Sequence, residues 1–284
     1  MTGLLYGIIP VIIQSVVSAE NIASAMALFL RFLIGTIMLA PFACRQLRHT
    51  SVPKSVFMKI PVSSVLMSAT SLLLYASYAH IPTGIGVTLH YTYPLIVMIT
   101  STVLFKIRVS WQSVIAIALS AAGILSLCNG RLSSDSAPVG IILALASSCT
   151  FCGYFLWTEH QKLNQIDPVV LTAILSGINS VLILFYCLLT NQFSLHLSLK
   201  GFAILALGGV MAALGALCLT LAIKYIGSVH TSILGTLEPI VCTLGSALVL
   251  HEELTARTFL GCGLIVISVI IVTIYGSDKA KLRG

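Results

Sequence analysis

The stretch Ile60–Phe105, IPVSSVLMSATSLLLYASYAHIPTGIGVTLHYTYPLIVMITSTVLF, contains no Asp, Glu, Lys or Arg. A helix that crosses the hydrocarbon core of a bilayer needs about 20 apolar residues, so this run is long enough to cross twice. The turn-forming residues of His80–Gly84 interrupt the run near its middle. Because helices satisfy their own backbone hydrogen bonds where water is excluded, the stretch predicts two membrane-spanning helices joined by a short turn.

The composition of the whole chain agrees with this prediction. Of 284 residues, 58% are hydrophobic and 8% are charged, and the mean hydropathy is +1.06. Soluble domains carry roughly 25% charged residues, so this composition excludes a water-soluble globular protein. The predicted fold class is therefore an all-α integral membrane protein with the lipid bilayer as its partner. The net charge of +7 comes from Lys and Arg in predicted loops, which indicates membrane topology and no nucleic-acid partner.

A window of about 20 residues together with the loop signals predicts ten membrane-spanning helices. With both termini in the cytoplasm, only three loop cations fall outside, Arg131, Lys200 and Arg257, and the other loop Lys and Arg residues fall inside. This distribution follows the positive-inside rule and predicts a multi-pass protein of a bacterial-type inner membrane. The predicted spans are 3–19, 23–44, 61–80, 84–105, 109–128, 137–158, 168–190, 199–223, 228–250 and 256–275.

An internal repeat divides the chain. The segment Tyr75–Pro94 aligns without gaps on Thr220–Pro239, 145 residues further on, and each copy contains a proline-broken helix. Because five is an odd number of spans, the second half would enter the membrane in the opposite orientation to the first. This is the inverted-topology arrangement of many secondary transporters. The predicted units are 1–132, 137–276 and a short basic cytoplasmic tail, 277–284.

Several short motifs resemble one family. Leu30-Arg31-Phe32 and Tyr91-Thr92-Tyr93-Pro94-Leu95 are similar to the first EamA repeat of the drug/metabolite transporter superfamily. Ala222-Ile223-Lys224-Tyr225-Ile226, Leu237-Glu238-Pro239 and Leu250-His251-Glu252-Glu253-Leu254-Thr255 resemble the second. The chain departs from the family at Ile107, where an acidic residue is usual, whereas the counterpart Glu252 is kept.

The resemblance covers essentially the whole chain and implies a ten-helix protein made of two five-helix inverted repeats, each EamA-like. It further implies a transporter, because members of this family move amino acids, sugars, nucleotide conjugates or drugs, and the direction of transport is often outward. We therefore expect a secondary active transporter that moves a small polar metabolite, an amino acid or a related compound, by alternating access. The expected direction of transport is export. The sequence specifies neither the substrate nor the direction.

Ionisable side chains within spans are costly and point to function. Glu238 lies about eleven residues into the ninth span, which at 1.5 Å per residue is near the midplane. Pro94 and Pro239 are predicted helix breaks, because proline lacks an amide hydrogen and its ring clashes with the preceding turn. Polar residues that share helix faces with the ionisable ones complete the predicted substrate cavity: Gln14, Arg31, Tyr75, Tyr78, His90, Tyr93, Tyr154, Trp157 and Glu238.

Each assignment has a structural alternative. Glu238 can couple transport to protons, bind a substrate amine or serve helix packing. Arg31 can orient a substrate carboxylate, extend its charge towards the interface or lock a helix pair. His90 can be an interhelical hydrogen-bonding residue, and the tyrosines and Trp157 can be packing residues.

Other functional classes are less well supported. No H-E-x-x-H, G-x-S-x-G or phosphate-binding glycine motif occurs, so an intramembrane enzyme and direct ATP hydrolysis are disfavoured. A facilitative, channel-like permease is the main alternative, which a saturable flux would exclude. We expect no catalytic residue, no cofactor and no metal site. The expected partner is a small-molecule substrate, and a second copy of the chain, in a homodimer, is a further candidate partner.

Overall fold

A computed structural model of the chain describes residues 2–48, 54–105, 111–129, 136–194, 197–235, 237–252 and 255–277. Every regular element within these ranges is helical, and no strand occurs among them. The prediction of an all-α protein is confirmed. Ile107 and all of the basic tail beyond Ser277 lie outside the described residues.

Twelve α-helices and one 3₁₀ turn, Leu163–Gln165, occur in the described ranges. The helices are α1 Thr2–Glu20, α2 Ser24–Leu47, α3 Lys54–Phe57, α4 Ile60–Ser77, α5 Thr83–His90, α6 Tyr93–Phe105, α7 Trp111–Asn129, α8 Ala137–His160, α9 Pro168–Leu189, α10 Leu199–Gly235, α11 Leu237–Val249 and α12 Ala256–Ser277.

Five of these helices have apolar segments long enough to cross a membrane, in α2, α4, α8, α9 and α10. Shorter apolar segments lie in α1, α7, α11 and α12. Most predicted spans agree with an observed helix to within a few residues. The short helix α3 was not predicted. The count of ten spans stays a prediction.

The boundary predicted between the spans 199–223 and 228–250 is wrong. The chain continues as one helix, α10, from Leu199 to Gly235, and α11 begins at Leu237. Pro239 explains the position of the break, since its ring clashes with the carbonyl four residues earlier and its nitrogen offers no hydrogen to that carbonyl. That residue is Gly235, where α10 ends. Gly227 alone does not stop the helix, because a helix tolerates glycine at a cost of about 1 kcal/mol.

The predicted span 84–105 is broken in the same manner. Helix α5 ends at His90, four residues before Pro94, and α6 begins at Tyr93. The predicted helix breaks at Pro94 and Pro239 are therefore both observed. In each case the proline stands one or two residues inside the following helix, where its fixed φ is compatible with a first turn.

Side-chain caps define several helix ends. The Asp167 carboxylate accepts hydrogen bonds from the Val169 and Val170 amides (3.0 and 3.3 Å) at the start of α9. The Glu252 carboxylate accepts from the Thr83 amide (2.7 Å) and the Gly84 amide (3.4 Å) at the start of α5. Carboxylates are favourable at helix N-termini, where amides lack intrahelical partners.

A second carboxylate joins distant segments near the start of α10. The Ser198 amide and hydroxyl both donate hydrogen bonds to Glu20, the last residue of α1. The Ser198 hydroxyl oxygen in turn accepts from the Gly201 amide (3.0 Å), so Ser198 is the N-cap of α10.

The most extensive helix contacts are between α2 and α9, between α7 and α12, and between α4 and α8. Helix α1 packs against α10 and α11, and α5 packs against α11. The helix α1 approaches α11 closely at Gly7, where a Cβ atom would lie 2.8 Å from the Glu238 carbonyl oxygen. These contacts place parts of α1, α2, α4, α5 and α11 around one interior space.

Candidate functional site

An internal cavity of about 90 Å³ lies among eight helices. At roughly 10–15 Å³ for one water by the same kind of measure, this volume holds several waters or a small molecule. The cavity has both polar and apolar walls. Its lining residues are Tyr6, Ile9, Pro10, Arg31, Met67, Thr70, Ser71, Leu74, Tyr75, His90, Tyr91, Tyr93, Phe151, Leu219 and Glu238.

Arg31 supplies the cationic wall of the cavity. Its side chain is 9% exposed, and Nη2 donates one long hydrogen bond to the Ser71 hydroxyl (3.4 Å). The guanidinium carbon lies 4.4 Å from the Phe32 ring centroid and 5.9 Å from that of Tyr75. Among the described residues, Nε has no hydrogen-bond partner and no carboxylate forms an ion pair with Arg31. Because buried charges are normally paired, this guanidinium is available to an anionic group.

Glu238 supplies the acidic wall. It is the second residue of α11, immediately after the break that Pro239 causes, and its side chain is partly exposed. Its carboxylate has no hydrogen-bond partner in the described part of the chain. The N-terminus of α11 favours a negative charge at this position. The carboxylate is therefore available to a cation or a proton.

The break between α5 and α6 turns three aromatic side chains towards the cavity, those of His90, Tyr91 and Tyr93. Side-chain hydroxyl groups satisfy the carbonyls at the break that Pro94 causes. The Ser148 hydroxyl lies 2.8 Å from the His90 carbonyl and 3.1 Å from that of Leu89. The break therefore contributes side chains, and not bare carbonyl oxygens, to the site.

Aromatic contacts fix these side chains. The Tyr93 ring meets Phe151 edge-on at 4.7 Å between centroids and stacks on Phe155 at 5.4 Å. The His90 ring lies 5.1 Å from Phe151 and 5.9 Å from Tyr93. Each such pair adds about 0.5–1.5 kcal/mol to the stabilisation that burial of the ring surface already provides. These contacts therefore hold this wall of the cavity in place.

Five of the nine predicted cavity residues line the observed cavity together: Arg31, Tyr75, His90, Tyr93 and Glu238. The other four do not. Tyr78 is buried against Tyr75, with 5.0 Å between the ring centroids, and Tyr154 stacks on Phe151 at 5.8 Å. Gln14 is half-buried in α1, and its side-chain oxygen has no hydrogen-bond partner in the described part of the chain.

Trp157 is half-buried, and its side chain packs against a core cluster and not around the cavity. Its indole nitrogen donates a hydrogen bond of 3.0 Å to the Lys59 carbonyl, which joins α8 to the start of α4. A helical-face argument cannot separate such a residue from a cavity residue, because both face the protein interior.

The sequence prediction missed several lining residues, including Tyr6, Tyr91 and Phe151. Phe151 has no polar atom and Tyr6 stands alone near the start of α1, so neither carried a polar signal. Tyr91 belonged to a family-like motif but shares no helix face with His90. No group of three or more His, Cys, Asp or Glu residues that could hold a metal occurs in the described ranges.

Five described helices long and apolar enough to cross a membrane indicate a multi-pass membrane protein. The EamA-like transporter family model matches residues 1–128 and 138–274, so the chain belongs to this family. The predicted membership of the drug/metabolite transporter superfamily is confirmed.

Two similar proteins can be compared. The chain is 25% identical over 213 residues to "Uncharacterized transporter sll1319" of Synechocystis sp. (strain ATCC 27184 / PCC 6803 / Kazusa), a match that covers 73% of this chain and 64% of that relative. A crystal structure of a protein superposes with a TM-score of 0.65 at 14% identity and covers 97% of this chain and 98% of that chain. This second likeness concerns the fold alone.

Proposed function

We propose that the protein is a secondary active transporter that carries a small zwitterionic metabolite, of the amino-acid type, by alternating access. The observation that supports this most strongly is the unpaired guanidinium of Arg31 in a cavity that the carboxylate of Glu238 also lines. A substrate carboxylate bound to Arg31 and a substrate ammonium bound to Glu238 would compensate both charges. Charge-assisted hydrogen bonds of this type are roughly twice as strong as neutral ones.

The cavity volume favours the smallest members of this class. About 90 Å³ is well below the roughly 300–1,000 Å³ of pockets that hold drug-sized ligands. Glycine and alanine carry both charged groups on two or three carbon atoms, so we choose them as probes. The apolar and aromatic walls leave a methyl side chain in a dry environment.

We also propose that the two halves form inverted repeats. Shifting the first half by 145 residues superimposes α2 on α9, α4 on the first part of α10, and α7 on α12. The observed pairs α2 with α9 and α7 with α12 join corresponding elements. The pair α4 with α8 then corresponds to the pair α10 with α1. A packing pattern that survives exchange of the halves supports a pseudo-two-fold axis between them.

Alternating access requires contacts that open and close at one end of the cavity. Glu252 in the second half binds the start of α5 in the first, and Glu20 in the first half binds Ser198 in the second. Under the proposed topology both contacts lie at the outer face. They close that end of the bundle, and opening outward would break both.

We further propose that both termini are cytoplasmic in an inner membrane and that transport is outward. The distribution of loop cations supports the orientation. A reporter fused after Gly284 tests it, because activity at the outer face would contradict this topology. Metabolite profiling of cells with and without the protein tests the direction, since an exporter lowers the intracellular level of its substrate.

Glu238 is our candidate for proton coupling. A carboxylate that has no hydrogen-bond partner among the described residues can exchange its proton with whichever side the cavity faces. Glu238→Gln keeps the size and hydrogen-bonding capacity but removes titration. We expect this variant to lose gradient-driven accumulation of substrate and to retain substrate exchange at a weaker affinity, because the amide oxygen still accepts a hydrogen bond from the ammonium group but carries no charge. Complete loss of substrate binding would limit Glu238 to the role of ligand, and normal accumulation with normal affinity would leave it a packing residue.

The carrier function itself is tested with purified protein in proteoliposomes. Internal unlabelled glycine and alanine should drive uptake of the labelled compounds, with a rate that saturates. Arg31→Met should abolish this counterflow, because it removes the guanidinium and retains apolar volume. Arg45→Met, which removes an exposed cation in the last turn of the same helix, is the matched control. A flux that rises linearly with concentration would indicate a channel-like permease.

A further inference from the structure

His90 makes a hydrogen bond that has no role in the function proposed above. Its Nδ1 atom lies 2.8 Å from the hydroxyl oxygen of Ser147 on α8. The same hydroxyl oxygen lies 2.6 Å from the Ala144 carbonyl oxygen, three residues earlier in that helix. Both His90 and Ser147 are buried. The serine hydroxyl therefore links the imidazole ring to the backbone of a neighbouring helix.

The two distances determine which ring nitrogen carries the hydrogen. A hydroxyl has one hydrogen to donate, and two oxygen atoms 2.6 Å apart require a hydrogen between them. The Ser147 hydrogen is therefore directed at the Ala144 carbonyl, and the serine oxygen accepts from His90. Nδ1 must then carry a hydrogen. In the neutral imidazole the other nitrogen, Nε2, is consequently a hydrogen-bond acceptor.

Nε2 has no hydrogen-bond partner among the described residues, although His90 lines the cavity. Phe151 and Tyr93 hold the ring from its sides, with centroid distances of 5.1 and 5.9 Å. The remaining polar atom of a fixed ring is thus left for a group within the cavity. An acceptor fixed in this way distinguishes a ligand with a suitable donor from one without it.

We propose that His90 Nε2 accepts a hydrogen bond from the amino group of the substrate, and that Ser147 is a positioning residue that maintains the required tautomer. The inference rests on the proposed transport of a small zwitterion. It assigns selectivity for the amino group to a neutral acceptor in addition to the Glu238 carboxylate. The carboxylate of the substrate remains assigned to Arg31.

The tautomer is tested by nitrogen-15 NMR of protein labelled at its histidines, in lipid nanodiscs without substrate. We expect the His90 signals, assigned with the His90→Asn variant, to show a protonated Nδ1 and an unprotonated Nε2. Ser147→Ala should reduce this preference. The matched control is Ser180→Ala, which removes a buried hydroxyl on α9 that likewise donates to the carbonyl three residues earlier but contacts no histidine. A hydrogen on Nε2 in the wild type would overturn the inference.

The substrate contact is tested with two pairs of probes that differ only in the amino group, glycine with acetate and L-alanine with propionate. A lost hydrogen bond to a charged group corresponds to about a 10-fold or greater loss of affinity. His90→Asn can still donate a hydrogen bond to Ser147 but has no atom at the Nε2 position. We expect this variant to lose affinity for glycine and L-alanine by this factor and to bind acetate and propionate as the wild type does. His90→Gln, whose amide reaches the Nε2 position, should recover part of the affinity.

The outcomes separate this inference from the proposed function. If the wild type binds both amino acids and His90→Asn keeps its selectivity for them, the His90 contact alone is refuted. An equal loss of affinity for all four probes would also refute the contact, because it would indicate a general structural effect. If the wild type binds neither amino acid, the proposed substrate class fails and this contact fails with it.

Discussion

Gly7 provides a quantitative test of the packing beside Glu238. A Cβ atom at this position would lie 2.7 Å from the Val241 Cβ and 2.8 Å from the Glu238 carbonyl oxygen. Ordinary contacts of this kind are about 3.5–4.0 Å, so each would be too short by nearly 1 Å. The carbonyl belongs to the backbone of α11 and can yield only if the helix moves. Overpacking of this type costs about 1–3 kcal/mol.

The matched control is Gly263 in α12, where an added Cβ atom would meet nothing within 4 Å. Replacement of a helical glycine by alanine gains roughly 0.5–1 kcal/mol from the backbone, and this gain is common to both sites. The difference between the two variants therefore isolates the steric cost at Gly7. We expect Gly7→Ala to be less stable than Gly263→Ala by about 1–3 kcal/mol.

Equilibrium unfolding in mixed detergent micelles, monitored by helical circular dichroism, measures this difference. Equal free energies of unfolding for Gly7→Ala and Gly263→Ala would refute the close approach of α1 and α11. Counterflow of glycine by the same two proteins adds a functional comparison. We expect Gly7→Ala to be slower, because a shift of α11 displaces Glu238.

Three further predictions concern single residues. Arg31→Ala and Tyr93→Ala should insert and fold but transport poorly, with Arg31→Ala weakening glycine binding about 10-fold or more; normal vesicle transport by both would make these residues structural. Ser148→Ala should lower the free energy of unfolding by about 1–3 kcal/mol, because the buried His90 carbonyl at the α5 break loses its donor, and an unchanged value would contradict this role. Glu252→Ala should accelerate amide hydrogen exchange at Thr83 through loss of a helix cap, and unchanged exchange there would argue against the cap.

The elements that the sequence predicted best are those controlled by local chemistry. Helical class and most boundaries follow from apolar length, and both helix breaks follow from proline. The boundary near Lys224 failed because a basic residue and a glycine resemble a loop, whereas the proline further on determines where the helix stops. Whether a long apolar segment is one helix or two depends on which backbone carbonyl loses its donor.

The cavity was only partly predictable. Arg31 and Glu238 were evident because ionisable residues are rare in membrane spans. Phe151 and Tyr6 were not, since apolar and isolated aromatic residues look alike in a core and in a cavity wall. Trp157 is not among the lining residues, because its polar atom binds the Lys59 carbonyl, a partner that only the packing of α8 against α4 reveals.

The central claim is that the cavity between Arg31 and Glu238 opens alternately to the two sides of the membrane. Leu219 lines this cavity, so Leu219→Cys in a cysteine-free background reports on it. The measurement is the rate of labelling by a membrane-impermeant thiol reagent, added to one face or the other of oriented proteoliposomes. We predict labelling from both faces, with both rates slowed by glycine plus alanine. Labelling from one face only, or labelling rates that do not change when glycine and alanine are added, would contradict the claim.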